Sequence, residues 1–274
     1  MTSRIAEAPD LMRRFALLSD VHGNLTALEA VLADIDAAGV GERYCLGDLV
    51  GYGPEPAAVI ARIRSLGIVT VRGNYDEGIG NRRGECGCYF ATDQARSDGA
   101  LSYAFTDGAL SDTDAAWLAD LPDEVRFKAE GVRVLLTHGS PRRINEYLLP
   151  DRTDEQLAQL AVAASADLVC VGHVHIPYHR AMLVGDGRRV HYVSSGSVGK
   201  PKDGDPRAAW VEVAIGSRKE VGAFAPNDPA VERAGVGSWV GAIVHRVAYD
   251  VDSVADAVVA AGLPPTLAEA LRRA

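Results

Sequence analysis

An α/β fold built on a largely parallel sheet is predicted by two patterns in this chain. Short apolar runs alternate with stretches of helical apolar spacing, and the first three runs each end in a polar cluster: Asp20 and His22, then Asp48, then Asn74. Strands alternating with helices form parallel sheets with right-handed crossovers. All three clusters therefore fall on one edge, the edge where open α/β sheets bind ligands.

The elements follow in order. Phe15 to Leu18 reads as a buried strand. Apolar residues at 25, 28, 31, 32 and 35 then have helical spacing, with Gly39 as the stop. Residues 43–46 form a short strand ending in Gly47-Asp48, and Gly51-Tyr52-Gly53-Pro54 turns the chain into a helix over 56–66. Residues 68–71 are β-branched and strand-like. Residues 77–89 are rich in glycine and charge and read as a loop, before helices over 92–105 and 112–121. An alternating strand over 124–129 precedes a buried strand over 132–137, which ends in His138-Gly139-Ser140-Pro141. Thr153 and Gln156 match a capping box that opens a helix to residue 164, and residues 168–171 form a buried strand before Gly172-His173-Val174-His175. Runs over 178–184, 190–194 and 208–214, joined by Gly-rich turns, read as antiparallel strands and suggest a second sheet packing on the first. A last strand over 242–249 and short helices over 254–261 and 267–270 make up the C-terminus, with 226–241 irregular. The expected organisation is a flexible tail over 1–14 and one domain over 15–274, in which 242–274 is a small add-on.

Bulk properties narrow the function. The chain has 274 residues and a net charge of −9. This argues against nonspecific binding to nucleic acid or an anionic membrane, but leaves room for a small phosphate ester at a metal-lined site. The N-terminus has no signal-peptide character and no stretch is long enough to cross a bilayer, so a cytoplasmic protein is expected. Homo-oligomer formation stays open. Cys45 and Cys170 lie in apolar runs and read as core. Cys86 and Cys88 form a Cys-x-Cys in the Gly-rich loop; a disulfide there is expected to be strained and disfavoured in a reducing compartment.

The chemistry lies in the polar groups at strand ends: Asp20, His22, Asp48, Asn74, His138, His173 and His175. Each has a plain structural reading, as a helix cap or a paired core side chain. Together, behind five separate strand-like runs, they supply three oxygen donors and four imidazoles, which is what two divalent ions need when one carboxylate is shared. Mixed histidine and carboxylate ligation suits Mn, Fe, Zn, Co or Ni rather than Ca.

Asp20-x-His22, Gly47-Asp48, Gly73-Asn74-x-Asp76, His138 and Gly172-His173-x-His175 resemble, in order and spacing, the five signature blocks of the calcineurin-like metallophosphoesterase superfamily. His138-Gly139-Ser140-Pro141 with Glu146-Tyr147-Leu148, Gly196-Ser197-Val198-Gly199 and the Tyr249-Asp250 tail resemble a branch of small stand-alone bacterial and archaeal phosphoesterases. The resemblance implies a four-layer α-β-β-α sandwich of two mixed sheets flanked by helices. By analogy, Asp20, His22 and His175 bind one metal, Asn74, His138 and His173 bind the other, and Asp48 bridges them. It implies hydrolysis of a phosphodiester or phosphomonoester by a metal-bridging hydroxide, with Asp48, Asn74, Tyr75 and Asp76 as the catalytic set. The family often has a histidine as proton donor where this chain has Tyr75, so esters with good leaving groups are expected. Arg72 matches a phosphate-holding arginine of Ser/Thr phosphatases, while Tyr52 stands where a second one is usual. Arg72 and Arg142 are candidates for contacting phosphate. Asn24 either positions the Asp20–His22 loop or caps the helix after it. His179, His191 and His245 read as surface or core. The alternatives are a phosphoprotein or dinucleoside-polyphosphate phosphatase of the same superfamily and a catalytically silent interaction scaffold; nucleic acid is a poor substrate candidate because no basic stripe is evident.

Overall fold

Phe15 and Leu17 point one way from the first strand and Ala16 and Leu18 the other, and all four are fully buried. That two-sided burial is the reason this run is continuously apolar rather than alternating. It also sets the layering. In the computed structural model, which describes residues 12–273, strand β1 (Arg13–Leu18) lies inside a sheet covered on both faces.

Six strands make the first sheet. β1 pairs in parallel with β2 (Arg43–Cys45), and β2 with β3 (Val69–Thr70); β9 (Ala208–Gly216), β11 (Trp239–Val247) and β10 (Glu232–Arg233) extend it on the other side of β1 in antiparallel fashion. The second sheet has β4 (Glu124–Ala129), β5 (Val132–Thr137), β6 (Leu168–Val171), β8 (Arg189–Ser195) and β7 (Pro177–Leu183) in that spatial order, with β5, β6 and β8 parallel and both edges antiparallel. Phe15, Leu17, Leu46 and Val213 of the first sheet meet Val134, Leu136, Cys170 and Val193 of the second in one apolar layer. Helices α1 (Leu25–Ala37) and α2 (Pro56–Ser65) cover the outer face of the first sheet, and α6 (Asp154–Ala163) covers the second. The result is the expected four-layer sandwich of two mixed sheets.

Several elements differ from the sequence reading. The strand expected over 208–214 in the second sheet is β9 of the first, because it pairs with β1, and the last strand, β11, joins the same sheet beside it. Helix α3 (Asn74–Gly80) occupies the start of the expected loop, with the Asp76 carboxylate accepting from Gly73 N–H at 2.9 Å to cap it. Helix α4 (Asp93–Ala109) runs longer than predicted, α5 (Asp112–Ala119) follows it, and α7 (Arg218–Phe224) was not anticipated, although Ser217 and Glu220 form a capping box legible in the sequence. The first eleven residues of the expected tail lie outside the described residues; Arg13 and Arg14 already belong to β1. At the C-terminus, β11 runs beside β9 for its whole length, and helices α8 (Val251–Ala260) and α9 (Pro265–Arg273) share a small apolar core of their own with Tyr52, Phe105 and Tyr249 packed against it. No helix among the described residues is long and apolar enough to cross a membrane.

What positions the site is the common direction of the parallel strands. β1, β2, β3, β5, β6 and β8 all deliver their carboxyl ends to one rim. The loops there are laced across both sheets by backbone bonds: Asp20 N–H to Gly47 O at 2.9 Å, His22 N–H to Asp48 O at 3.0 Å, Gly172 N–H to His138 O at 2.8 Å and Val198 N–H to Ser19 O at 2.9 Å.

Candidate metal centre

Two groups of ligand-type side chains converge on this rim: Asp20, His22 and His175, and Asp48, His138 and His173, all buried. In the first, Asp20 Oδ1 lies 3.1 Å from His175 Nε2 and 3.7 Å from His22 Nε2, and the two imidazole nitrogens are 3.2 Å apart. In the second, His138 Nε2 is 3.4 Å from Asp48 Oδ2 and 3.1 Å from Asn74 Oδ1. Asp48 Oδ2 is also 3.8 Å from His22 Nε2, so this carboxylate oxygen stands between the groups. Donor atoms about 2.1 Å from one ion stand roughly 3.0–3.4 Å apart, so the spacing suits a cation in each group.

The bonding within each ligand points the same way. One atom is tied to the protein and another is left facing the centre. Asp20 Oδ2 accepts from Ser19 Oγ at 2.6 Å and His173 N–H at 2.9 Å, while its Oδ1 is buried without a hydrogen bond. Asp48 Oδ1 accepts from Tyr75 N–H at 2.8 Å. Asn74 Nδ2 donates to Cys86 O at 2.9 Å, which turns Oδ1 inward. His22 Nδ1 faces Val50 O at 3.0 Å, His138 Nδ1 faces Leu46 O at 2.7 Å, and His175 Nδ1 faces Lys200 O. A carbonyl on Nδ1 holds the proton there and leaves the Nε2 lone pair for a metal. His173 Nε2 is likewise buried with no partner. Orphaned buried polar atoms are costly, and here they gather in two places that a pair of divalent ions would satisfy.

Burial keeps most of these imidazoles neutral, the form that ligates. It lowers His22 and His173 to about 3 and His175 well below its usual value. His138 differs. Burial pulls it down too, but the adjacent Asp48 carboxylate overrides this and raises it to about 9. Burial likewise works to raise Asp48, yet His138 and then His22 hold it below the ordinary carboxylate range.

The backbone is strained at the centre. Asp20, His22, Asp48, His173 and His175 all have left-handed conformations, with φ of +54°, +49°, +53°, +66° and +61°. Such conformations cost about 1–2 kcal/mol for a side-chain-bearing residue, and clusters of them mark functional sites. Close approach of two loops completes the geometry. A Cβ on Gly47 would lie 2.4 Å from Gly73 N, and one on Gly73 would lie 2.2 Å from both Asp48 N and Asp48 Oδ1. Glycine at both positions lets the loops carrying Asp48 and Asn74 meet backbone to backbone.

Other residues singled out in the sequence fall elsewhere. Asp76 is a positioning group: its carboxylate accepts from Asp48 N–H, Leu49 N–H and Gly73 N–H, each at 2.9 Å, and burial with the nearby Asp48 charge raises it to about 7. Tyr75 is fully buried, its hydroxyl makes no hydrogen bond and faces Ser102 and Tyr52, and burial raises it to about 12. Arg72 does not face the centre; it bonds Asp123 at 2.5 Å and Ala119 O at 2.7 Å. Arg142 is held at the surface by Glu146 at 2.7 Å. Asn24 caps α1 through Ala27 N–H at 3.0 Å and ties that helix start to Gly199 O at 3.2 Å, so it braces the loop rather than reaching a substrate. His179 bonds Asp228 at 2.7 Å and His191 at 2.9 Å, away from the metals' rim. Cys86 and Cys88 are disulfide-bonded, contrary to the expectation, because Gly87 at φ +64° folds the tripeptide until the Cα atoms are 5.3 Å apart, within disulfide reach. The sequence reading gave Tyr147 no role at the site beyond its place in the Glu146-Tyr147-Leu148 block, yet its ring lies tilted against His173 with centroids 4.1 Å apart; the three carbonyls behind the imidazoles have no side-chain signature.

Comparison with known proteins agrees with this geometry. The family model for the calcineurin-like phosphoesterase superfamily domain matches residues 13–216. An uncharacterised protein of Methanocaldococcus jannaschii is 30% identical over 268 residues, which cover 93% of this chain and 96% of that one. The crystal structure of a metallophosphoesterase from Sphaerobacter thermophilus is similar with a TM-score of 0.68 and 27% identity, over 95% of this chain and 98% of that one. A hypothetical protein of Pyrococcus horikoshii shares the fold, with a TM-score of 0.71 and 21% identity over 94% of this chain and 97% of that one.

Proposed function

The chain belongs to the calcineurin-like phosphoesterase superfamily and is a metal-dependent hydrolase, and on that premise we propose that it cleaves small phosphate esters, diesters or monoesters, with two divalent ions. Asp20, His22 and His175 hold one ion, Asn74, His138 and His173 the other, and Asp48 spans both. Manganese, iron, zinc, cobalt and nickel all suit this donor set. When bound, such a pair supplies Lewis acidity toward the phosphoryl oxygens and a water acidic enough to attack near neutral pH. The observation that carries the reading is the division of labour within six of the seven ligands, all but His173: one atom tied to the protein, the other buried and turned to the centre.

The chain's own residues give the reaction its bias. Of the seven ligands, carried on five loops, all but His173 are held by a backbone partner before any ion arrives, so little reorganisation accompanies binding. The Tyr75 hydroxyl, raised to about 12 and turned toward Ser102 and Tyr52, does not deliver a proton to the leaving group. Esters whose leaving group departs without one are favoured: aryl phosphates, phosphodiesters and nucleotides.

The test is a panel of 4-nitrophenyl phosphate, bis(4-nitrophenyl) phosphate and nucleotide esters, assayed with the chelated protein and after adding each of the five metals. Turnover should require metal, reach the aryl esters first, and disappear in Asp48→Asn while the circular-dichroism spectrum of the folded protein is kept. No turnover with any metal would overturn the reading.

A further inference from the structure

His173 is the ligand whose side chain no backbone group holds. Its N–H donates to Asp20 Oδ2 at 2.9 Å, which fixes the main chain. Its ring has no such tie: Nε2 is buried without a hydrogen bond, whereas Val50 O, Leu46 O and Lys200 O stand behind the rings of His22, His138 and His175. A ligating imidazole needs an outer partner to set its orientation. What meets His173 instead is aromatic. The Tyr147 ring lies against it with centroids 4.1 Å and planes 36° apart, and the His138 ring meets it edge-on at 5.0 Å. In that position a ligand atom of His173 lies within 4.8 Å of those of Asp48 and His138.

The chain on either side of Tyr147 is pinned. Glu146 accepts from Ser140 Oγ at 2.5 Å, Arg142 at 2.7 Å and Arg152 at 2.8 Å. Leu148 is fully buried in one cluster with Leu157 and Tyr192, and its carbonyl accepts from the Tyr178 hydroxyl at 2.7 Å. Just upstream, Asn145 Nδ2 donates to Gly87 O at 3.0 Å, in the loop whose Cys86 carbonyl holds Asn74. The two loops that brace Asn74 and His173 are therefore tied to each other. Glu146 and Leu148 serve as anchors, and the residue between them presents its ring to a metal ligand.

We propose that Tyr147 is a positioning residue for the second metal group: the face of its ring does for His173 what a backbone carbonyl does for the other three imidazoles. This rests on the two-metal reading. A flat, stiff ring with two χ angles restrains a neighbouring imidazole through contact area alone, and aromatic pairs hold preferred geometries beyond simple burial. The hydroxyl is not needed for this, so phenylalanine should serve and a branched aliphatic side chain should not.

Cobalt is the probe, titrated into the chelator-stripped protein and followed by calorimetry and visible absorption. The wild type should take two equivalents. Tyr147→Leu should take one as the wild type does and the other about 10- to 100-fold more weakly, while Tyr147→Phe should bind both within about threefold of wild type. In a His138→Ala background, which disables the second group, adding Tyr147→Leu should leave the remaining equivalent unchanged. Binding of both equivalents by Tyr147→Leu within about threefold of wild type would overturn the proposal. So would equal weakening of both, weakening in the His138→Ala background, or a Tyr147→Phe as weak as Tyr147→Leu, because the loop or the hydroxyl would then be acting and not the ring face. If the second equivalent depends on Tyr147 yet no ester is hydrolysed with any metal, the hydrolase reading fails while the positioning role stands. A wild type that takes fewer than two equivalents would overturn the proposal together with the two-metal reading.

Discussion

Replacing Gly47 by alanine probes the contact that sets Asp48 against Asn74. The new Cβ would lie 2.4 Å from Gly73 N, 2.7 Å from Gly73 Cα and 2.9 Å from Val71 O. All three are backbone atoms, so no side chain can swing aside, and the two loops must part. Gly47 also has φ +91°. The left-handed conformation costs about 1–2 kcal/mol and overpacking about 1–3 kcal/mol more, giving a loss of roughly 2–5 kcal/mol. Gly39→Ala is the matched control, since Gly39 has φ +69° but nothing within 4 Å of an added Cβ; it should lose only about 1–2 kcal/mol. At about 2–4 °C per kcal/mol for a large domain, Tm of the chelated protein should fall by roughly 4–20 °C in Gly47→Ala and by about 2–8 °C in Gly39→Ala. Thermal unfolding with chelator measures this, and metal counting after dialysis measures the site. Gly47→Ala should lose metal from the Asp48, Asn74 and His138 group while Gly39→Ala stays loaded. If both variants melt together and both keep their metal, the loop contact does not position the centre and the reasoning fails.

Two further outcomes follow from the buried titratable groups. In the metal-free protein, burial lowers His22 and His173 to about 3 and lowers His175; the folded state resists protonating them, so their contribution is present above the unfolded value near 6.5 and is lost as pH falls toward 3. His138 is raised to about 9 by Asp48 against the pull of burial, so its contribution is present below about 6.5 and is lost as pH rises to 9. Tm of the chelated protein should therefore peak near neutrality and fall more steeply on the acid side, where three imidazoles act against one; a Tm that stays flat from pH 7 to pH 5 would contradict this. Tyr75→Phe removes a buried hydroxyl without a partner, so stability should hold or rise slightly, by about 1 kcal/mol at most, with kcat for an aryl phosphate within threefold of wild type; a drop of a hundredfold would return Tyr75 to the chemistry.

The donor types were readable because chemistry is carried by residue identity. Asp20, His22, Asp48, Asn74, His138, His173 and His175 could be picked out as polar residues after apolar runs, and the parallel-strand rule put the first three clusters, Asp20 with His22, Asp48 and Asn74, on one edge; the packing of the second sheet on the first brings His138, His173 and His175 to the same rim. The strands were readable for a related reason: Phe15–Leu18 and 168–171 are buried on both faces, and only an unbroken apolar run satisfies that. Reading failed where pairing decided the outcome. The run over 208–214 was recognisable as a strand, yet nothing local says that it pairs with β1 in the first sheet, across nearly two hundred residues of chain.

The sequence alone determined the α/β class and the donor types at the strand ends, because period and donor chemistry are local properties. Tertiary structure decided orientation. It turned Arg72 to Asp123 and Arg142 to Glu146, buried the Tyr75 hydroxyl beside Ser102 and made Asp76 a clamp on the Asp48 loop. Residue type sets what a side chain can bond; which partner it meets depends on loops from distant strands packing within a hydrogen-bond length of one another, and at this rim glycines 47 and 73 allow that approach.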